Sequence, residues 1–286
     1  MTFASDREID KAYRPSAALA PGVFEANLAL YRERSAEAYL SLPHERDLCY
    51  DPQQSGQCLD IFPAAGPELK PVFVFIHGGY WRMLSKNEST FMAGALTRRG
   101  ISVVAVDYTL APAVKLEEIV RQVRASIAWL YRNGSQYGID PERIFVGGSS
   151  AGGHLTGAIV SGGWREAMGL PENVIKGAMP VSGIFDLAPL AKSFVNAWMN
   201  FDDAQIQKLS PIHHLPPAPC KMVVAWGAEE TSGFHEQSHA WLAAWRGADF
   251  AGTDLMVPDR HHFDIVLDWC EPDSAMTRAL STMVLG

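Results

Sequence analysis

Paired cysteines are missing from this sequence. The four present, Cys49, Cys58, Cys220 and Cys270, are scattered and make no C-x-x-C, which leaves a zinc ribbon or a thioredoxin-like dithiol without support. Positive charge is also short. The formal net charge is -8 at pH 7, which disfavours nucleic acid and anionic membrane surfaces, since both select basic patches. No apolar run reaches the roughly 18 residues that a membrane helix needs. Residues 1–11 carry Asp6, Arg7, Glu8 and Asp10 with no apolar core, so they do not read as a signal peptide. Reduced thiols in a cytoplasmic setting are the simplest expectation. No repeat, low-complexity tract or Gly/Ser/Pro-rich linker divides the chain. We therefore expect one domain over residues 1–286, with residues 1–50 as a helical arm or cap. At 286 residues such a domain buries roughly three quarters of its unfolded surface and needs no staple.

What is present is an alternation of short apolar runs with helical patterns. Runs rich in β-formers fall at Cys58–Phe62, Val72–His77, Ile101–Asp107, Ile144–Gly147, Val174–Val181, Met222–Trp226 and Asp254–Val257. Helical stretches lie between and after them, at Ser89–Arg99, Leu116–Asn133, Ala151–Ser161, Phe234–Arg246 and Asp273–Val284. Ahead of them, Phe24, Leu28, Tyr31 and Ala38 recur at near-helical spacing within 24–42. Near-continuous apolar strands separated by helices imply a mostly parallel sheet with helices on both faces. Sites in such sheets form beyond the carboxyl ends of the strands.

Two strand ends carry chemistry. Ile144–Gly147 runs into Gly148-Ser149-Ser150-Ala151-Gly152, a G-x-S-x-G in the strand–turn–helix context that exposes a nucleophilic serine. Ser150 is the candidate nucleophile, because it alone is centred between the glycines. Val72–Ile76 ends in His77-Gly78-Gly79-Tyr80-Trp81. Backbone N–H groups of Gly78 and Gly79, with that of Ala151, are the candidate oxyanion hole, since small residues leave approach unobstructed. His77 is read as structural.

A serine nucleophile needs a base and an orienting acid, in the order Ser, acid, His. His261 and His262 follow the last strand run, and histidine titrates near neutrality. Met222–Trp226 leads into Gly227-Ala228-Glu229-Glu230, and either glutamate is within reach by sequence; Asp254, Asp259 and Asp264 lie nearer the histidines.

With these residues in place the chain resembles the serine-type kynurenine formamidases (arylformamidases) and related small bacterial esterases of the α/β-hydrolase superfamily. The H-G-G-Y-W stretch at 77–81, D-Y-T-L-A-P at 107–112, Ser210-Pro211 with His214-Leu215-Pro216, and Tyr13-Arg14-Pro15 carry the resemblance, which covers residue 10 to the end. It implies the α/β-hydrolase fold and places the acid at Glu230, where the family more often has aspartate. It selects His262, the histidine directly before Phe263. It further implies hydrolysis of an N-formyl arylamine, N-formylkynurenine above all, through an acyl-serine. A carboxylesterase acting on short acyl esters is the alternative. Tyr80 and Trp81, beside the oxyanion turn, are the candidate substrate wall. The H-x-G-T-H-x-D motif of metal-using formamidases is absent, so no metal or other cofactor is expected. The expected partner is a small-molecule substrate, with no nucleic acid and no membrane, and a homodimer is compatible with the sequence.

Overall fold

Side chains alternate along a strand, so a strand that is apolar throughout must bury both of its faces. The computed structural model, which describes residues 5–51 and 57–286, meets this with one eight-stranded sheet. The strands are β1 (Glu45–Cys49), β2 (Cys58–Phe62), β3 (Lys70–Ile76), β4 (Ser102–Val106), β5 (Ile139–Ser149), β6 (Ile175–Val181), β7 (Lys221–Gly227) and β8 (Thr253–Val257). They lie in the order β1-β2-β4-β3-β5-β6-β7-β8. Strand β2 runs antiparallel to both of its neighbours, and β4 through β8 are parallel. This is the α/β-hydrolase fold.

The helices are α1 (Asp6–Ala12), α2 (Val23–Ser41), α3 (Ala93–Thr97), α4 (Leu116–Asn133), α5 (Ala151–Val160), α6 (Asn196–Met199), α7 (Asp203–Leu209), α8 (Ser232–Gly247) and α9 (Ala275–Leu285). Strand β3 shows how the layers divide. Val72, Val74 and Ile76 join Val123 and Ile127 of α4, Leu155 and Ile159 of α5 and Trp241 of α8 in one core. Phe73 and Phe75 face the other way, onto Leu96 of α3, Leu280 and Met283 of α9, and Leu28 and Tyr31 of α2. Among the described residues no helix is long and apolar enough to cross a membrane. Residues 1–4, at the front of the segment tested above for a leader, lie outside the described residues.

Strand β1 carries no apolar alternation; its residues are mostly exposed and its register with β2 is irregular, so composition gave no sign of it. The helix expected over Ser89–Arg99 shrinks to Ala93–Thr97, a stretch weakened by Gly94 and followed by Gly100. Conversely β5 starts five residues earlier than Ile144, with Pro141 inside the added stretch of strand and a register shift between Lys70 and Val72 of the facing strand.

Candidate active site

Strand β5 hands over to α5 in a turn too tight for ordinary backbone. Ser150 sits at φ 58° and ψ -116°, a region costly for a residue with a Cβ. Its N–H donates to the Val181 carbonyl at 2.9 Å, which ties the turn to the neighbouring strand. The flanking glycines are dictated by distance. A Cβ on Gly148 would lie 2.5 Å from the Ile76 oxygen, and one on Gly152 only 2.0 Å from it. Helix α5 can therefore start directly over the end of β3, and every residue of it is buried.

The turn after β3 lies against this elbow. A Cβ on Gly78 would meet the Ser149 oxygen at 2.6 Å; Gly79, at φ +90°, would meet the Met83 oxygen at 2.5 Å. Gly78 is thus pressed against the elbow, and Gly78 and Gly79 line the same cavity as Ser150. His77 braces the turn from behind. Its ring stacks on Tyr108 at 4.2 Å and 13°, and Nδ1 donates to the Gly78 carbonyl at 3.0 Å. The Tyr108 hydroxyl donates to the His77 carbonyl at 3.0 Å.

Burial pushes His77 down to about 4 and Asp107 up to about 6. Their side chains approach to 3.8 Å, yet between these values both are neutral, so the contact is not an ion pair there. A histidine kept neutral by folding stabilises fully above its unfolded value near 6.5, and that contribution is lost as pH falls toward about 4. We expect His77→Phe to flatten the fall in melting temperature between about pH 6.5 and 4 relative to the parent protein. Parallel melting curves for the two across that window would refute it.

The ends of β7 and β8 bring the acid to the base. The Glu230 carboxylate is fully buried. Its Oε2 lies 2.7 Å from His262 Nδ1, while Oε1 accepts from Gly227 N–H at 2.7 Å and from the Ser182 hydroxyl at 2.5 Å. Three donors on one buried carboxylate offset its loss of water. Gly227 is glycine because a Cβ there would fall 2.2 Å from the Arg260 oxygen, in the loop that carries His262. With Nδ1 occupied, Nε2 is the nitrogen left for proton transfer, and Ser150 and His262 line the same cavity.

The competing residues stand elsewhere. Glu229 and Asp259 are exposed, Asp254 pairs with Arg246 at 2.8 Å, and Asp264 accepts from the His261 N–H at 2.7 Å. The His261 ring accepts from Phe263 N–H at 3.1 Å and closes the turn instead of facing the cavity.

That cavity, of about 290 Å³, opens above the elbow between the N-terminal helices and the segment that links β6 to β7. Its aromatic wall includes Tyr80, Phe194 and Trp198, with Phe24, Phe91 and Phe263 opposite or beside them. Tyr80 takes the place expected of it, its ring 5.7 Å from Phe194 and 6.4 Å from Trp198. Trp81 does not, and the expectation is corrected. It is fully buried in the core, edge-on to His154 at 5.1 Å and Phe201 at 6.2 Å. Both residues have positive φ, 49° and 58°, and the turn sends the two rings to different sides.

The BD-FAE family model matches residues 59–244 of the chain. Kynurenine formamidase of Salmo salar is 33% identical over 236 residues, covering 80% of this chain and 78% of its own. The chain belongs to the BD-FAE family, with the kynurenine formamidases among its relatives. The enzyme of that name from Danio rerio is 29% identical over 98% of this hydrolase and 97% of its own length. A solved structure from Silicibacter sp. TM1040, provisionally assigned as a thioesterase, superposes with a TM-score of 0.83 at 25% identity, covering 98% and 99% of the two chains.

Three contributors to the site of this BD-FAE hydrolase escaped the sequence reading. Ser182 follows β6 at φ 49°, and nothing in its neighbours marks it as a partner of the acid. Phe194, just ahead of α6, and Trp198, within it, stand four residues apart, and that helical spacing was the one available signal. Helix α2 supplies Phe24, Leu28 and Tyr31 to the cavity, through the apolar face already visible in its spacing.

Proposed function

We propose that this hydrolase cleaves N-formyl arylamines, with N-formylkynurenine as the leading substrate, releasing formate and the free amine. The carrying observation is the shape of the cavity, in which flat aromatic walls begin at the oxyanion turn itself, where Tyr80 adjoins Gly78 and Gly79. A formyl group needs almost no acyl room, and an aryl amine suits such walls. In this reading Ser150 Oγ attacks the formyl carbon while His262 Nε2 takes the hydroxyl proton, and Glu230 stabilises the resulting imidazolium. Negative charge on the formyl oxygen meets the N–H groups of Gly78, Gly79 and Ala151. The C–N bond then breaks as His262 returns the proton to the departing amine. A water activated by His262 hydrolyses the formyl-serine, and formate leaves. No metal or cofactor enters this sequence. The four cysteines form no disulfide and suit a reducing cytoplasmic compartment.

A short-chain carboxylesterase would use the same residues, so acyl length separates the readings. We expect formate release from N-formylkynurenine, and p-nitrophenyl acetate cleaved at least tenfold more efficiently than the butyrate, since each methylene that does not fit costs about 1–3 kcal/mol. Butyrate turned over faster than acetate, with no formate released, would make a general carboxylesterase the better description.

A further inference from the structure

Two arginines at the cavity edge form no ion pair among the described residues. Arg14 and Arg82 both line the cavity and are both exposed. Each is instead laid over an aromatic ring. The Arg14 guanidinium carbon sits 3.7 Å from the Phe194 ring centre, and that of Arg82 lies 5.0 Å from the Trp198 ring centre. Those two rings are 5.7 Å apart, so the guanidiniums share one platform. Stacking on a ring fixes a guanidinium without using its N–H donors.

The platform is also tied to the oxyanion turn. Trp198 Nε1 donates to the Tyr80 carbonyl at 3.3 Å, and the Tyr80 hydroxyl donates to the carbonyl of Tyr13, next to Arg14. Glu88 is the acid lining the same cavity, and it is engaged by the Ser85 hydroxyl at 2.7 Å and approached by Arg32 at 3.9 Å. Asp10, whose Oδ1 accepts from the Phe194 N–H at 2.6 Å, is engaged in the same way. So in a chain of net charge -8 two guanidiniums stand beside an apolar cavity with their N–H donors outside any ion pair among the described residues.

From this arrangement we infer that Arg14 and Arg82 form a carboxylate-binding rim. It recognises an anionic group carried a short chain away from the aryl ring that occupies the aromatic wall. The ligand class is the aryl compound that bears a carboxylate. A neutral aryl compound of the same shape lacks this contact. The inference builds on the proposed placement of an aryl substrate in the cavity, and it specifies what that substrate must carry.

Calorimetric binding to the full chain tests it, with 4-oxo-4-phenylbutanoate and its primary amide as probes that differ in charge and hardly in shape. The acid should bind roughly tenfold or more tightly than the amide, the scale of charge-assisted hydrogen bonds to arginine. That preference should shrink in about 0.5 M salt and fall to near unity in the Arg14→Gln, Arg82→Gln double variant. Equal affinities for acid and amide in the parent protein, no measurable binding of either, or a preference that survives both substitutions would each overturn it. The parent ratio is decisive without any variant. Formate release is measured separately, so loss of the formamidase reading leaves a positive acid preference standing, and loss of the preference leaves a positive formate assay standing.

Discussion

Alanine at position 150 is expected to lower kcat/KM by about 10⁴-fold or more while leaving the melting curve close to that of the parent protein. The strained turn is held by the Ser150 backbone N–H and by the close approaches around Gly148 and Gly152, none of which involves the hydroxyl. Alanine tolerates the same φ no worse than serine does. Gly152→Ala is the informative contrast. Its new methyl would meet the Ile76 oxygen at 2.0 Å, so activity and stability should fall together. Activity with short p-nitrophenyl esters, fluorophosphonate labelling and thermal melts on the same preparations separate the two kinds of loss. An active Ser150→Ala protein beside a dead Ser149→Ala protein would sink the assignment.

Replacing Glu230 by Gln should cost almost as much, on the order of 10⁴-fold in kcat. The direction follows from the wiring of the carboxylate. Oε1 accepts from the Ser182 hydroxyl and the Gly227 N–H, so an amide keeps its oxygen there and turns its NH2 group toward His262 Nδ1. That nitrogen must then be an acceptor, which puts the ring proton on Nε2, where the serine hydroxyl needs a base. Glu229→Gln should be nearly silent, since Glu229 is exposed. Ser182→Ala should fall between them, because the carboxylate keeps two of its three partners. Steady-state kinetics of the three variants decide the matter, and equal small losses at 229 and 230 would remove Glu230 from the role.

The central strands were legible because they are apolar on both faces, whereas the exposed β1 was not. Helix α4 came out with the bounds read from its periodicity, Leu116 to Asn133. The elbow and oxyanion turn were legible for a related reason. Glycine is required there by approaches of 2.0 to 2.6 Å, and a requirement that strict leaves a spelling in the sequence. The choice between Glu229 and Glu230 could not be read from spacing, because it depends on which side chain the turn after Gly227 buries. Ser182 was invisible for the same reason, as its role lies in a contact 48 residues distant. Trp81 misled because adjacency to the oxyanion turn says nothing of direction when two successive residues adopt positive φ.

The Tyr31 hydroxyl donates to the carbonyl of Phe263, the residue after His262, across 232 positions of chain. Phe24 packs edge-on against the same Phe263 ring at 4.8 Å. The loop bearing the base is therefore finished by residues of a helix that lies 232 positions earlier in the chain. Closing a contact of such sequence separation costs more chain entropy than closing a local one. The geometry around the base is thus a property of the completed topology, held by contacts that no contiguous fragment of the chain contains.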